Sequence, residues 1–496
     1  MPTRAPNIIL VFVDNQPAEM TGCYGNTEIV TPNLDRMAQN GVLFENAYCP
    51  NAMCSPCRAS VLTGLMPSQH GIHTWLDDHK KDQWPIDWNA LAAFTTLPEQ
   101  LKAAGYETAL IGKYHLGNPE LPKNGFDHWV AVDVGHTMSF YNNRFIENGC
   151  HHVAPEHAVD YLTEKACTYI GSRRSPSDRP FFLFLTYNAP YGHWPSIKGE
   201  PDNRFGHLYR DCPMESVPRE GINRQLMDWI HMRQTKLPGE EESYYKGLAQ
   251  IPNDLPSLRN FYSQMTLVDD GVGRVLRQLD AANLQSDTLV IYTADHGMSL
   301  GHHGIWGHGE DSWPSNTHGI SYHIPLIVQH PGTLPPARRV KALVGTTDVY
   351  ATILDYVDLD PPHSKESPAR SLKSMLAGSP SDTQTGTFDA IFMEQEETRA
   401  IRTDKWLYMK RFKGGPYAFR NELYDLVRDP SEHHDVVRAP ENRAIVQHLD
   451  RRVEAFFARY SDPRFDLWNG GTVKSNSTRP WLWQESWGAD WTPVYD

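Results

Sequence analysis

Three short stretches of this 496-residue sequence carry side chains suited to chemistry. The first is Cys54-Ser-Pro-Cys-Arg58, which runs on to Thr63-Gly64. Pro56 suits the first turn of a helix and Gly64 a later boundary. A helix starting there has Cys54 at its N-terminus and Arg58 four positions on, along the same face. Free backbone N–H groups and the positive end of the helix dipole then favour an anion beside Cys54. Arg58 adds a fork-shaped donor for an oxyanion. The spacing Cys54-x-x-Cys57 fits a zinc or redox pair as well, and a buried structural cysteine beside a helix start fits too. The other two stretches are Asp14-Asn15 and Asp295-His296-Gly297, each following a strand-like apolar run. Acidic and amide oxygens with an imidazole suit a divalent cation bound mostly through oxygen. An Asp-Asn pair at a strand end is also an ordinary turn former.

Elements that could hold these residues together are visible along the chain. Ile8–Val13, Thr108–Ile111, Phe181–Thr186, Thr288–Tyr292 and Pro325–Val328 read as buried parallel strands. Thr31-Pro32 opens a helix that stops at Gly41, with Thr31 as N-cap, and Thr96-Leu-Pro98 opens another that ends at Gly105. A long amphipathic helix spans about Pro256 to Leu284. Such alternation predicts an α/β fold, a sheet covered on both faces with its sites at the carboxyl ends of the strands. Pro361 to Thr385, rich in Pro, Ser, Lys and Gly, reads as a linker. Beyond it Ala390–Met393, Ala400–Thr403 and Trp406–Arg411 read as short antiparallel strands, followed by a helix from Pro440 to Tyr460. The tail from Asp462 carries Trp468, Trp481, Trp483, Trp487 and Trp491, and is expected to pack over the main domain or a second copy of the chain. A homo-oligomer is therefore left open.

The composition, 40% apolar and 21% charged, is that of a soluble globular chain long enough for one large domain and a smaller one. A net charge of −14 argues against nucleic acid or anionic membrane as partner. Seven cysteines are no disulfide framework at this length, and no apolar run reaches a membrane span. The opening Met-Pro-Thr-Arg-Ala-Pro leads straight into a β-branched run with no cleavage site after it, so a cytoplasmic location is expected.

Cys54-Ser-Pro-Cys-Arg58 with Thr63-Gly64 resembles the Cys-x-Pro-x-Arg signature of the type I sulfatases, within the alkaline phosphatase-like superfamily. Further blocks follow in the family's order: Asp14 with Gly22-Cys-Tyr-Gly25, Thr31-Pro-Asn-Leu-Asp-Arg36 and Gly112-Lys-Tyr-His-Leu-Gly117. Thr293-Ala-Asp-His-Gly297, Gly304-Ile-Trp-Gly307 and Glu422-Leu-Tyr-Asp425 continue the series.

The resemblance implies a large, mixed, mostly parallel sheet flanked by helices, with a smaller C-terminal α+β subdomain. The corresponding division is a catalytic domain over 1–365, a subdomain with a small antiparallel sheet and helix over 386–461, and the Trp-rich tail over 462–496. It implies that a formylglycine-generating enzyme oxidises Cys54 to an aldehyde. The aldehyde hydrate would attack the sulfate ester beside a divalent ion, Ca2+ first and Mg2+ or Mn2+ as alternatives, and later expel sulfate. Asp14, Asn15, Asp295 and His296 match the metal ligands, with Asn15 replacing the usual second aspartate. Arg58 would orient the hydrate, Lys113 contact the nucleophile and sulfate, and His115 assist sulfate release. His193, in Asn188-Ala-Pro-Tyr-Gly-His-Trp-Pro195, would bind sulfate and is a candidate to protonate the leaving oxygen. Two departures matter. His308 stands where the family has a lysine after Trp-Gly, which makes it a candidate donor to the leaving oxygen, and His323 stands where an arginine commonly precedes Val-Pro. A phosphonate monoester or phosphodiester hydrolase shares the same parts and is the alternative. The alcohol half of the substrate would meet loops around Trp75–Phe94, Thr137–His152 and Pro195–Lys246, and the tail. These mix aromatic and charged residues, as a sugar sulfate or an aryl sulfate would require.

Overall fold

A computed structural model of the chain describes residues 5–173, 179–193, 203–236, 248–249, 251–362, 366–378 and 388–495. Thirteen strands precede residue 346 there: β1 (Asn7–Asp14), β2 (Val42–Tyr48), β3 (Glu107–Gly112), β4 (His128–Val132), β5 (Asn143–Glu147), β6 (Cys150–Ala154), β7 (Phe181–Pro190), β8 (Thr288–Ala294), β9 (Ser299–Leu300), β10 (Trp306–Gly307), β11 (His323–Ile324), β12 (Leu326–Gln329) and β13 (Arg338–Gly345). Eleven of them form one sheet in the order β11-β2-β12-β8-β1-β7-β3-β4-β5-β6, with β13 beside β2. Its centre, β8-β1-β7-β3-β4, is parallel throughout. Every residue of β1, β7 and β8 is buried, which accounts for their continuous apolar reading in sequence. Helices Ala158–Gly171, Leu255–Ala281 and Pro32–Gln39 pack together, and Cys54–Thr63, Leu97–Ala103 and Thr346–Tyr356 form a second group.

One expected strand runs the other way. The Pro325–Val328 run lies in β12, which is antiparallel to both β8 and β2. The chain stays at the carboxyl edge of β8 through residues 295–322 and re-enters the sheet from that edge, so no crossover reverses its direction. The helix at Pro32–Gln39 has the expected bounds but a different cap. Thr31 Oγ1 accepts the N–H of Gly22 at 2.8 Å, and Asp269 accepts the N–H groups of Asn33 and Leu34 at 3.0 and 2.8 Å. The cap is thus supplied from the long helix, 236 residues away in sequence.

Residues 363–365 and 379–385 of the expected linker lie outside the described residues. The part between is packed: Leu372, Met375 and Leu376 are buried, and Arg370 Nη2 donates to Asp348 Oδ2 at 2.8 Å. Its polar composition hides an apolar i, i+3, i+4 stripe. Ile391–Gln395, Thr398–Arg402, Trp406–Arg411 and Glu422–Asp425 make an antiparallel sheet against which helix Arg443–Tyr460 packs. The tail folds back on its own chain. Lys474 N donates to Gly71 O at 2.7 Å, Ser475 Oγ accepts from His73 N at 3.0 Å, and Leu482 and Trp483 are fully buried. Among the described residues no helix is long and apolar enough to cross a membrane. Of the loops expected to meet substrate, residues 195–202 and 237–246 lie outside the described residues.

Candidate functional site

Strands β1 and β8 are parallel neighbours with Val13 opposite Ala294, so Asp14 and Asp295 leave the sheet side by side. Chain reversal follows at once: Asn15 has a left-handed φ of 61°, and its N–H donates to Asp295 Oδ1 at 3.2 Å. Helix Cys54–Thr63 points its N-terminus at the same spot and ends at Gly64, left-handed at φ 72°. Every residue of that helix is buried. Cys54 Sγ lies 3.5 Å from Asp14 Oδ1 and 3.5 Å from His296 Nε2. One ligand atom each from Asp14, Cys54, Asp295 and His296 fall within 4.8 Å of one another. Cys57 turns away, with Sγ 3.7 Å from Thr346 Oγ1, and is not among the ligand atoms gathered around Cys54.

The cationic side of the site is equally buried. Arg58 donates to Asp295 Oδ2 at 2.9 Å and to the Lys113 carbonyl at 3.0 Å. Lys113 Nζ donates to Asp14 Oδ2 and lies over the Tyr191 ring. Lys113 is set by β3: its N–H donates to Thr186 O at 3.0 Å, immediately after Gly112. Burial alone would raise Asp14, but Lys113, then Arg58 and His296, hold it below its ordinary value. Burial would lower Lys113, and Asp14 outweighs that to raise it. The Cys54 thiol is pushed well above its ordinary value by burial, with Asp14 adding to the effect. A thiol of that kind is a poor nucleophile in its own right.

The donor set fits a divalent cation. His296 Nδ1 lies 2.8 Å from the Gly297 carbonyl, an arrangement that places the ring proton on Nδ1 and leaves the Nε2 lone pair facing Cys54. Asn15 Oδ1 is buried with no hydrogen-bond partner among the described residues, as befits an oxygen kept for an ion.

The remaining candidates surround this centre. His115, left-handed at φ 55°, donates through Nε2 to Leu76 O, 2.7 Å away. His193 and His308 meet edge to face with ring centroids 4.9 Å apart, and His308 stands 4.9 Å from His296 in the same way. Burial lowers His193 to about 3 and holds His308 well below the ordinary imidazole value. Trp194 and Pro195, next to His193, lie outside the described residues. His323 is not brought to the centre; its ring stacks on Tyr48 and Nε2 lies 2.8 Å from Glu45 O.

Three residues that the sequence did not single out join the group. Asp78 Oδ1 lies 3.6 Å from His136 Nδ1 and 4.0 Å from His115 Nε2. Asp311 lies between His308 and His193. Only the three-residue spacing of Asp311 from His308 could have drawn attention to it; Asp78 and His136 are gathered by loop packing alone.

The arrangement provides a buried centre with two carboxylates, two fixed cations, a helix N-terminus and a rim of imidazoles, suited to a tetrahedral oxyanion. Comparison with known proteins agrees. A solved structure, a complex with its substrate D-glucosamine-2-N,6-O-disulfate, aligns at TM-score 0.69 and 23% identity, covering 92% of this chain and 98% of that one. The phosphonate monoester hydrolase of Agrobacterium radiobacter aligns at TM-score 0.68 and 20% identity, covering 92% of this chain and 96% of that one. The N-acetylglucosamine-6-O-sulfatase of Bacteroides thetaiotaomicron is 26% identical over 516 residues, 93% of this chain and 88% of that protein. The profile of the N-sulphoglucosamine sulphohydrolase C-terminal region matches residues 315–459. The Sulfatase profile matches residues 6–359, well over half of the chain, which therefore belongs to the sulfatase family and is a sulfuric ester hydrolase.

Proposed function

We propose that this sulfatase cleaves the sulfate ester of a saccharide, using formylglycine made from Cys54 and one divalent cation, Ca2+ first. The observation that carries the reading is the placement of Cys54 Sγ, 3.5 Å from both Asp14 Oδ1 and His296 Nε2 at a buried helix N-terminus. That sulfur stands in for the oxygens of the hydrated aldehyde. Asp14, Asn15, Asp295 and His296 would hold the cation, which when bound lowers the pKa of an adjacent hydroxyl and offsets charge on the sulfuryl group.

The chain's own residues do the rest. Arg58, tied to Asp295 and the Lys113 carbonyl, holds the residue-54 side chain in line. Lys113 points its ammonium at the same space and binds sulfate oxygens. His115 takes the proton from residue 54 as sulfate leaves. His193 binds sulfate, and His308 gives a proton to the leaving alcohol oxygen as its bond to sulfur breaks. The saccharide is supported by the amino-sugar sulfatase among the relatives and by Trp75, which packs on His136 at the rim. A formylglycine-generating enzyme as maturation partner, a cytoplasmic location, and the division at 1–365, 386–461 and 462–496 belong to the same proposal.

One preparation assayed on 4-nitrophenyl sulfate, N-acetylglucosamine 6-sulfate and a phenyl phosphonate monoester tests it. Sulfate esters should be turned over at least about tenfold faster in kcat/KM, a difference of about 1.4 kcal/mol in transition-state binding. Faster turnover of the phosphonate would replace this reading with the phosphonate hydrolase.

A further inference from the structure

One buried carboxylate in the site has no role in the chemistry above. Asp311 Oδ2 accepts the backbone N–H of His308 at 2.8 Å and lies 3.1 Å from His308 Nδ1 and 3.8 Å from His193 Nε2. The Asp311 N–H returns to the His308 carbonyl at 3.2 Å. Gly307 permits this close approach. Its φ is 147°, and a Cβ there would stand 2.4 Å from the Asp311 side chain. The loop is fastened from both sides. Asn316 Nδ2 donates to the His308 carbonyl at 3.3 Å and to Ser312 Oγ at 3.0 Å. Arg479 Nη2 donates to the Glu310 carbonyl at 2.5 Å, and Trp75 Nε1 to Glu310 Oε1 at 3.2 Å.

A fully buried carboxylate costs stability unless strong donors compensate it, and those facing Asp311 are one backbone N–H and two imidazoles. Burial, with Glu310 beside it, pushes Asp311 up to about 8. A group kept under such conditions in a cleft is a functional candidate. The sequence offers the reason for it. A lysine in the family's position brings its own charge and needs no bracing, whereas an imidazole acts only when its ring is correctly turned. His308 follows a two-residue strand, β10, and so has little backbone support of its own.

We propose that Asp311 is a positioning residue for the sulfatase reaction, holding the His308 backbone through its N–H and facing the His308 ring with the same carboxylate oxygen, so that the ring meets the leaving oxygen. The inference rests on the reading of His308 given above. Asp311 Oδ2 makes both approaches to His308, so Asp311→Asn with its amide oxygen in that place keeps the acceptor for the N–H and removes the carboxylate's charge from beside the ring, whereas Asp311→Ala removes the acceptor as well.

A double-variant cycle decides it, with Asp311→Asn, Asp311→Ala, His308→Ala and Asp311→Asn/His308→Ala assayed on N-acetylglucosamine 6-sulfate and 4-nitrophenyl sulfate. On the sugar ester, Asp311→Asn should lower kcat by about tenfold or more with KM within about threefold, and Asp311→Ala by more. On the nitrophenyl ester, whose leaving group needs little protonation, the loss should be several times smaller. In the His308→Ala background, Asp311→Asn should add less than about twofold, because its effect runs through the missing ring. Its thermal midpoint should equal or exceed that of the wild type. Equal losses on both esters, or the same loss with and without His308, would overturn the proposal. A wild type inactive on both sulfate esters would instead overturn the sulfatase reading, and this inference with it.

Discussion

Four buried side chains set the charge of the centre: Asp14 and Asp295 against Arg58 and Lys113. They balance without a metal, so a divalent ion adds positive charge that an incoming sulfate can meet. Asn15 is what makes the balance even. The resemblance to the family puts an aspartate at this position, and the left-handed φ of 61° is one that aspartate also tolerates. Asn15→Asp should therefore fold normally and bind Ca2+ roughly tenfold more tightly or better, since an added charge a few ångströms from the ion is worth more than about 1 kcal/mol. Calcium titration of the chelator-stripped protein by calorimetry reads this directly. Unchanged affinity would mean that residue 15 is not a ligand. At this scale the sequence was informative where chemistry is local. Asp14 ends β1, Asp295 follows β8, and Cys54 and Arg58 share one helix. Asp311, Asp78 and His136 were not legible, because their relevance depends on how loops far apart in sequence come together.

At the scale of elements, the centre depends on how closely β3 approaches β7. Gly112 pairs with Thr186 and has a φ of 129°; a Cβ there would stand 1.8 Å from the Thr186 carbonyl oxygen. That same oxygen accepts the Lys113 N–H. Gly112→Ala should cost about 2–4 kcal/mol in denaturant unfolding, from strain and overpacking together. It should also lower kcat by about 10²-fold, because Lys113 is displaced by a fraction of an ångström or more. A variant that keeps both stability and kcat would show that the approach is not needed. The element pattern was legible wherever runs were uniformly apolar, as in β1, β7 and β8. It was less so for β2, β4, β5, β6 and β13, which are shorter, half-exposed or mixed in composition. The direction of β12 could not be read from its residues at all, since it follows from the path of the preceding loop.

Across the whole molecule, buried ion pairs join the main sheet to the C-terminal sheet. Glu432 receives Arg402 at 2.5 Å, His318 Nδ1 at 3.0 Å and the Gly319 N–H at 2.9 Å. Burial would raise Glu432, but Arg402 and His318 outweigh it and hold the carboxyl well below its ordinary value of 4.5. A depressed folded value means that the stabilisation is complete above the unfolded value and fades as pH falls below it toward the folded one. Glu432→Gln should thus be less stable than wild type by about 3–5 kcal/mol at neutral pH. The gap should narrow on acidification below 4.5, as measured by urea midpoints at a series of pH values. A gap independent of pH would contradict this account. Arg479 makes a comparable junction for the tail, binding Glu397 at 2.6 Å and the Glu310 carbonyl beside the site. The tail's tryptophans signalled packing, but nothing in their sequence context indicated that Arg479 would brace the loop bearing Asp311.

The proposed mechanism depends on the state of residue 54. Peptide mass spectrometry over residues 49–69, on protein made with and without a formylglycine-generating enzyme, measures the fraction of Cys54 converted to the aldehyde. Sulfatase activity should rise in proportion to that fraction, and Cys54→Ala should have none. Full activity with an intact thiol, or with alanine at position 54, would contradict the account.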